Sequence, residues 1–252
     1  MKIQVEICCG SATDALAASQ GGAQRIELNS ALSLGGLTPS PATLTLAKQW
    51  TGLPIIAMVR CRGAGFCYSE KEFDVLLQDA RILLENGADG IAFGALSSQR
   101  QIQESQTRAM IDLAHQFGKE FVFHRAFDCL DDGCAGVEQL IRWGADRLLS
   151  SGQKATASQG ADLLKILQER YGDQIEILGG SGIHAGNAAA LIRDTGLRQI
   201  HSSCRHWVKD PTTQTAEVSY AMDPQYSFHY DCVSEDKVRA LVNAVAQIES
   251  EN

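Results

Sequence analysis

WGADRLLS (143–150) sets a glycine turn directly ahead of a short β-rich run, and the pattern returns along the chain. GGAQRIEL (21–28), NGADGIAF (86–93) and TGLRQIHS (195–202) also place a glycine just before a strand-like segment. Glycine suits the left-handed position past a helix C-terminus, so each copy reads as helix end, turn and strand start. The repeat marks a module of two βα units used four times. Working outward, strands are expected at 3–7, 25–29, 55–59, 89–93, 121–124, 147–150, 175–178 and 199–202. Helical patterns lie between them at 11–20, 40–50, 70–86, 105–117, 135–143, 158–171, 185–194 and 235–249. Eight βα units in 252 residues predict an α/β fold, one (β/α)8 TIM-type barrel forming a single domain over 1–252. The exception to short connections is 203–233, expected as a long loop after strand 8. Its aromatic residues, among them Trp207, Tyr220 and Tyr230, suit either a lid over the barrel mouth or a contact with a second subunit.

Composition narrows the function classes. A net charge of −8 argues against nucleic-acid or anionic-membrane binding, because phosphate contacts need Lys and Arg. No run of about 18 apolar residues occurs, and no hydrophobic leader precedes MKIQVEICCG (1–10), so a soluble cytoplasmic protein is expected. Eight cysteines in that compartment are expected to stay reduced. None forms a CxxC pair, which leaves zinc-ribbon and thioredoxin readings without support and makes most of them packing thiols.

Side chains alternate along a strand, so each barrel strand divides into a helix-facing and an interior set. Ile3, Val5 and Ile7 should face the helices, which sends Gln4, Glu6 and Cys8 inward. The same logic turns Arg25, Glu27, Asn29, Val122, His124, Gln199 and His201 inward. Arg25, Glu27, Glu176 and Gln199 are then candidates for mutual pairing, since buried ions are costly without partners. Glu6, Glu27, Arg60, His124 and His201 form an upper layer at the strands' C-terminal ends, where barrel enzymes keep their chemistry. Adjacent Cys8 and Cys9 point to opposite sides and do not act as a pair.

Three stretches could carry chemistry. In FHRAFD (123–128), His124 should face the mouth with Asp128 able to orient it or Arg125; this is an acid/base arrangement, or a cluster that only pins the loop. LGGSGIHAGN (178–187) offers Gly179, Gly180 and Gly182 beside Ser202 and Ser203, which is an anion cradle after strands 7 and 8 or merely a tight turn. VRCRGAGFCYS (59–69) adds Arg60 and Cys61 to the rim.

These stretches, with EICCGS (6–11), GGAQRIEL (21–28), GGLTPS (35–40), ADGIAFGAL (88–96), SSGQK (150–154), GGSGI (179–183) and HSS (201–203), resemble the CutC family over nearly the whole chain. The resemblance implies a TIM-type barrel, a homodimer or homotetramer, and cytoplasmic copper homeostasis with Cu(I) binding. Two departures stand out. Asn29 occupies a position where the family often has a thiol, and RCRGAGF (60–66) replaces an Arg-Pro-Arg-Gly-Gly-Asp-Phe run. With the second-strand thiol gone, Cys61 is the candidate partner of Cys8, two thiolates being enough for Cu(I). The alternative is an enzyme or sensor for a small phosphorylated or carboxylate metabolite. There Glu6, Glu27, His124 and Asp128 are the catalytic candidates, and Arg60, Arg125, the three loop glycines, Ser202 and Ser203 hold the anion.

Overall fold

A computed structural model describes residues 3–251. Eight parallel strands, β1 (Gln4–Cys9), β2 (Arg25–Leu28), β3 (Ile55–Met58), β4 (Gly90–Phe93), β5 (Glu120–Phe123), β6 (Arg147–Ser150), β7 (Glu176–Gly179) and β8 (Gln199–Ser202), pair in sequence order. β8 pairs with β1 and closes the barrel. The outer layer is α1 (Ala12–Gln20), α2 (Pro41–Thr51), α3 (Glu70–Glu85), α4 (Glu104–Gln116), α5 (Gly133–Trp143), α6 (Ala161–Tyr171), α7 (Ala188–Thr195) and α8 (Glu235–Glu251). The expected TIM-type barrel is therefore present.

Local chemistry explains the element ends. The repeat glycines Gly22, Gly87, Gly144 and Gly196 all take positive φ, between 72° and 96°, where a side chain would be strained. Helix starts are capped by Ser11, by Ser40 with Pro41 behind it, and by Ser69 in a reciprocal capping box with Glu72.

The predicted alternation holds. Val5, Ile7, Ile26, Leu28, Phe121, Phe123 and Ile200 join the core between sheet and helices. Ile56, Met58, Ala92, Val122, Leu149 and Leu178 form a separate cluster inside the barrel. Burying each large side chain contributes roughly 1.5–3 kcal/mol. The rest of the interior is ionic. Arg25 donates to Glu6 and, at 2.6 Å, to Gln199. Arg147, buried on β6, donates to Glu176 at 2.7 Å and to Glu120 at 2.9 Å. The expected mutual pairing holds in part: Arg25 binds Gln199, and Glu176 interacts with Gln199, but Arg147 also binds Glu176 and Glu27 belongs to the mouth.

The 203–233 connection is not a plain loop. Arg205–Lys209 (β9) and His229–Val233 (β10) form an antiparallel ribbon, with Tyr230 opposite Val208 and Asp231 opposite Trp207. Trp207 stacks on Tyr226 with ring centroids 4.1 Å apart. The excursion leaves and returns at one place: Ser234 N donates to Cys204 O at 3.0 Å, and Val233 N to Asp14 Oδ1 at 2.8 Å. No helix among the described residues is long and apolar enough to cross a membrane.

Candidate functional site at the barrel mouth

A cavity of about 320 Å³ opens at the C-terminal ends of the strands. Cys8, Glu27 and His201 line one side; Arg60, His124 and Arg125 line the other. A larger cleft of about 570 Å³ lies beside α1. Its buried carboxylate, Asp14, is already taken by the backbone amides of Gly10 and Val233, so that cleft is structural.

Strand register builds the first side. Cys8 lies opposite Glu27 across β1–β2, and Glu6 lies opposite His201 across β1–β8. Residues paired in this way point the same way, so all four enter the interior together. The imidazole of His201 bridges two carboxylates, with Nδ1 2.8 Å from Glu6 Oε1 and Nε2 3.9 Å from Glu27 Oε2. Asn29 donates to Glu27 Oε2 at 2.9 Å and reaches Cys8 Sγ at 3.5 Å. Ligand atoms of Cys8, Glu27 and His201 all lie within 4.8 Å of one another.

The charges on this side interlock. Burial alone would raise Glu6, but Arg25 and His201 outweigh it and hold the carboxyl well below the usual range. Burial pushes Glu27 up, with Glu6 adding to it and His201 opposing. Burial works against a charged His201, yet Glu27 and Glu6 together raise it. The Cys8 thiol is pushed well up, first by burial and then by the Glu27 charge. Cys8 is therefore a protonated thiol until something positive replaces its proton.

On the second side, His124 is buried, and its Nδ1 accepts from Ala126 N at 3.2 Å. Burial, then the Arg60 and Arg125 charges, push it down to about 3. The ring is therefore neutral with its proton on Nε2, and that nitrogen has no partner. Asp128 does not orient it. Its carboxylate accepts from Ser150 Oγ, the Ser151 and Gln153 amides and Arg125, and so pins the loop after β6. Of the two readings of FHRAFD, the geometry fits the cluster that pins the loop: Asp128 orients Arg125 rather than His124, its carboxylate held by Arg125, the Ser150 and Ser151 hydroxyls and the loop amides.

The remaining expected residues separate. Arg60 is buried and donates to the carbonyls of Leu34, Gly36 and Ala64. Cys61, next along, falls on the other side, packs against the helix-side core, and does not line the cavity. The Cys8–Cys61 pairing is therefore not formed; the loop that carries Arg60 inward carries Cys61 outward. Gly182 and Ser203 reach the cavity, whereas Gly179 and Gly180 lie below its lining. At these two, an added Cβ would come within 2.6 Å of Leu197 and 2.7 Å of Leu149, so both are small for packing. Ser202 lines the cavity but spends its proton on Ile183 O at 2.6 Å. α7 starts only at Ala188, past a turn closed by Asn187 on His184 N, so its N-terminus does not extend the cradle. His201, which alternation turns inward beside Glu6, joins Cys8 and Glu27 in one cluster, a convergence of separate strands that no local motif signals.

Comparison with known proteins agrees with this barrel. A family profile described as the CutC family matches residues 3–206. A Treponema denticola protein named as a family protein CutC is 46% identical over 212 residues, covering 84% of this chain and 85% of its own length. One from Xylella fastidiosa is 33% identical, covering 96% and 89%. A solved Streptococcus agalactiae structure, described as a candidate copper homeostasis protein CutC, superposes with a TM-score of 0.75 at 28% identity, over 80% of this chain and 98% of that one. The KGPDC structure from Streptococcus mutans, at 10% identity and a TM-score of 0.63, shares the fold. With the profile spanning most of the barrel and relatives this similar along most of its length, the chain belongs to the CutC family.

Proposed function

We propose that this chain acts in copper homeostasis by holding Cu(I) as cargo at the barrel mouth, between the Cys8 thiolate and His201 Nε2 with the Glu27 carboxylate beside them. The observation carrying this reading is the convergence of those three ligand atoms within 4.8 Å in a largely buried cavity wall. Thiolate and imidazole are donors that copper favours, and low coordination numbers suit its reduced state. Glu6 supports the set from behind: by accepting from Nδ1–H, it orients the ring so that Nε2, once it gives up its proton, faces the metal. Binding would release the Cys8 proton as the ion takes its place, a charge-neutral exchange, and would also release the Nε2 proton that Glu6 and Glu27 favour on His201. The description of the Streptococcus agalactiae structure points the same way, and a reducing cytoplasm would keep copper as Cu(I).

The test is an anaerobic Cu(I) titration against a chromophoric competitor. Wild type should bind stoichiometrically, Cys8→Ser should lose that binding, and Cys61→Ser should match wild type. Asn29→Cys, which places a second thiol beside Cys8, should bind more tightly. Equal, non-stoichiometric binding by wild type and Cys8→Ser overturns the reading.

A further inference from the structure

The second side of the mouth holds a charge that nothing balances. Arg60 is 5% exposed, and its guanidinium donates to main-chain carbonyls with the Tyr68 hydroxyl beside it; no described carboxylate pairs with it. Among the described residues its Nε has no hydrogen-bond partner, and neither does the Nε2–H of the neighbouring His124. A buried cation is costly unless it is paired, and a buried donor is costly unless it is used. Two such defects side by side, on residues lining one cavity, mark a place built for an absent acceptor. Arg125 adds a half-exposed guanidinium at the rim, anchored at 2.8 Å by Asp128. Phe66 lies against both defects, 5.1 Å from the His124 ring and 4.9 Å from the Arg60 guanidinium carbon. Its loop is held by Arg60 on the Ala64 carbonyl and by Arg62 on the Gly65 and Cys67 carbonyls, which fixes the ring against the cavity wall.

We propose that the mouth binds a small organic oxyanion whose carboxylate or phosphoryl group supplies the missing counter-charge of Arg60. The anion accepts from His124 Nε2–H and from Arg125, with the Phe66 ring beside it. The neutral state of His124 fits this role, since it donates without adding a second buried positive charge. At about 320 Å³ the cavity is near the lower bound, roughly 300 Å³, of small-molecule sites. The proposal does not need the metal, because the anion groups and the thiol–imidazole groups are different residues.

The experiment uses metal-free protein with inorganic phosphate and malonate as probes, each against sodium chloride at matched ionic strength. Thermal unfolding and calorimetric titration read binding; spectra of ¹⁵N-histidine-labelled protein read the His124 Nε2–H. One or both anions should stabilise the protein saturably and shift that proton, and the better probe tells phosphoryl from carboxylate. Arg125→Gln should weaken binding roughly tenfold, as expected for a hydrogen bond to a charged group. His124→Phe, which keeps a ring in place, should weaken it as well. Arg60→Lys should retain part of it and Arg60→Gln none; Arg125→Gln and His124→Phe decide the matter if the Arg60 variants do not fold. Cys8→Ser should bind the anion like wild type, so the copper and anion readings fail separately. No stabilisation beyond chloride, or stabilisation unchanged by Arg125→Gln and His124→Phe, overturns the proposal.

Discussion

The arc of the barrel made by β8, β1 and β2 and the arc made by β3, β4 and β5 solve the same packing problem in opposite ways. On the first, interior positions carry Glu6, Arg25, Glu27, Gln199 and His201, held together by hydrogen bonds among Glu6, Arg25, Gln199 and His201 and by the longer approach of His201 to Glu27. On the second, Ile56, Met58, Ala92 and Val122 fill the interior, and polarity is confined to Arg60 and His124 at the top. The first arc gives up the stability an apolar interior would offer and gains an ordered set of donors. The second keeps a dry interior and leaves its two upper groups partly unsatisfied. A barrel interior can therefore be ionic only where the ions complete each other. Where they do not, the deficit is itself informative about what the site receives.

Substitution can break this contrast. The largest effect is expected from Glu6→Ala, which strands Arg25 and His201 and should cost about 3–5 kcal/mol in urea unfolding. A cost below about 1 kcal/mol would mean that the first arc is not held by its ions. A somewhat smaller effect is expected from His124 and depends on pH. Its folded value, about 3, lies below the ordinary 6.5, so the stability it contributes is full above pH 6.5 and falls away as pH drops toward 3. The slope is about 1.4 kcal/mol per pH unit, so wild type should lose about 2.7 kcal/mol by pH 4.5 that His124→Gln retains. Parallel pH profiles for the two proteins would remove the unprotonated imidazole from the second arc. The smallest effect is expected from Arg125→Gln. Its guanidinium is 41% exposed, and losing the pair with Asp128 should cost under about 1 kcal/mol. A larger loss would make Arg125 a structural clamp rather than a rim cation.

Much of this was legible in the residues. The glycine repeat located the strand starts, and alternation sent Glu6, Cys8, Glu27 and His201 inward, because parallel register then had only one way to bring them together. What stayed hidden depended on competition for partners. FHRAFD shows His124 and Asp128 a turn apart, but Ser150, Ser151 and Gln153 bind the carboxylate first. Cys61 was expected at the mouth because a loop after a strand has no fixed alternation; the hold of Arg60 on Ala64 decides it. Arg147 obeys the same alternation as Arg25 and was recognisable on RLLS (147–150), flanked there by Leu148 on the helix side. The ribbon of β9 and β10 was obscured by the residues separating its two strands, since only tertiary pairing joins them.

The ribbon's shared foot has a consequence for how the chain can be cut and rejoined. Cys204 and Ser234 are already in hydrogen-bond contact, so the chain could pass from β8 to α8 through a short turn with the excursion removed. The family profile ends at residue 206, the second residue of β9, so it takes in all eight barrel strands and stops where the ribbon begins. Shortening the ribbon beyond Arg205, which lines the mouth, is expected to leave the strands beneath it in register.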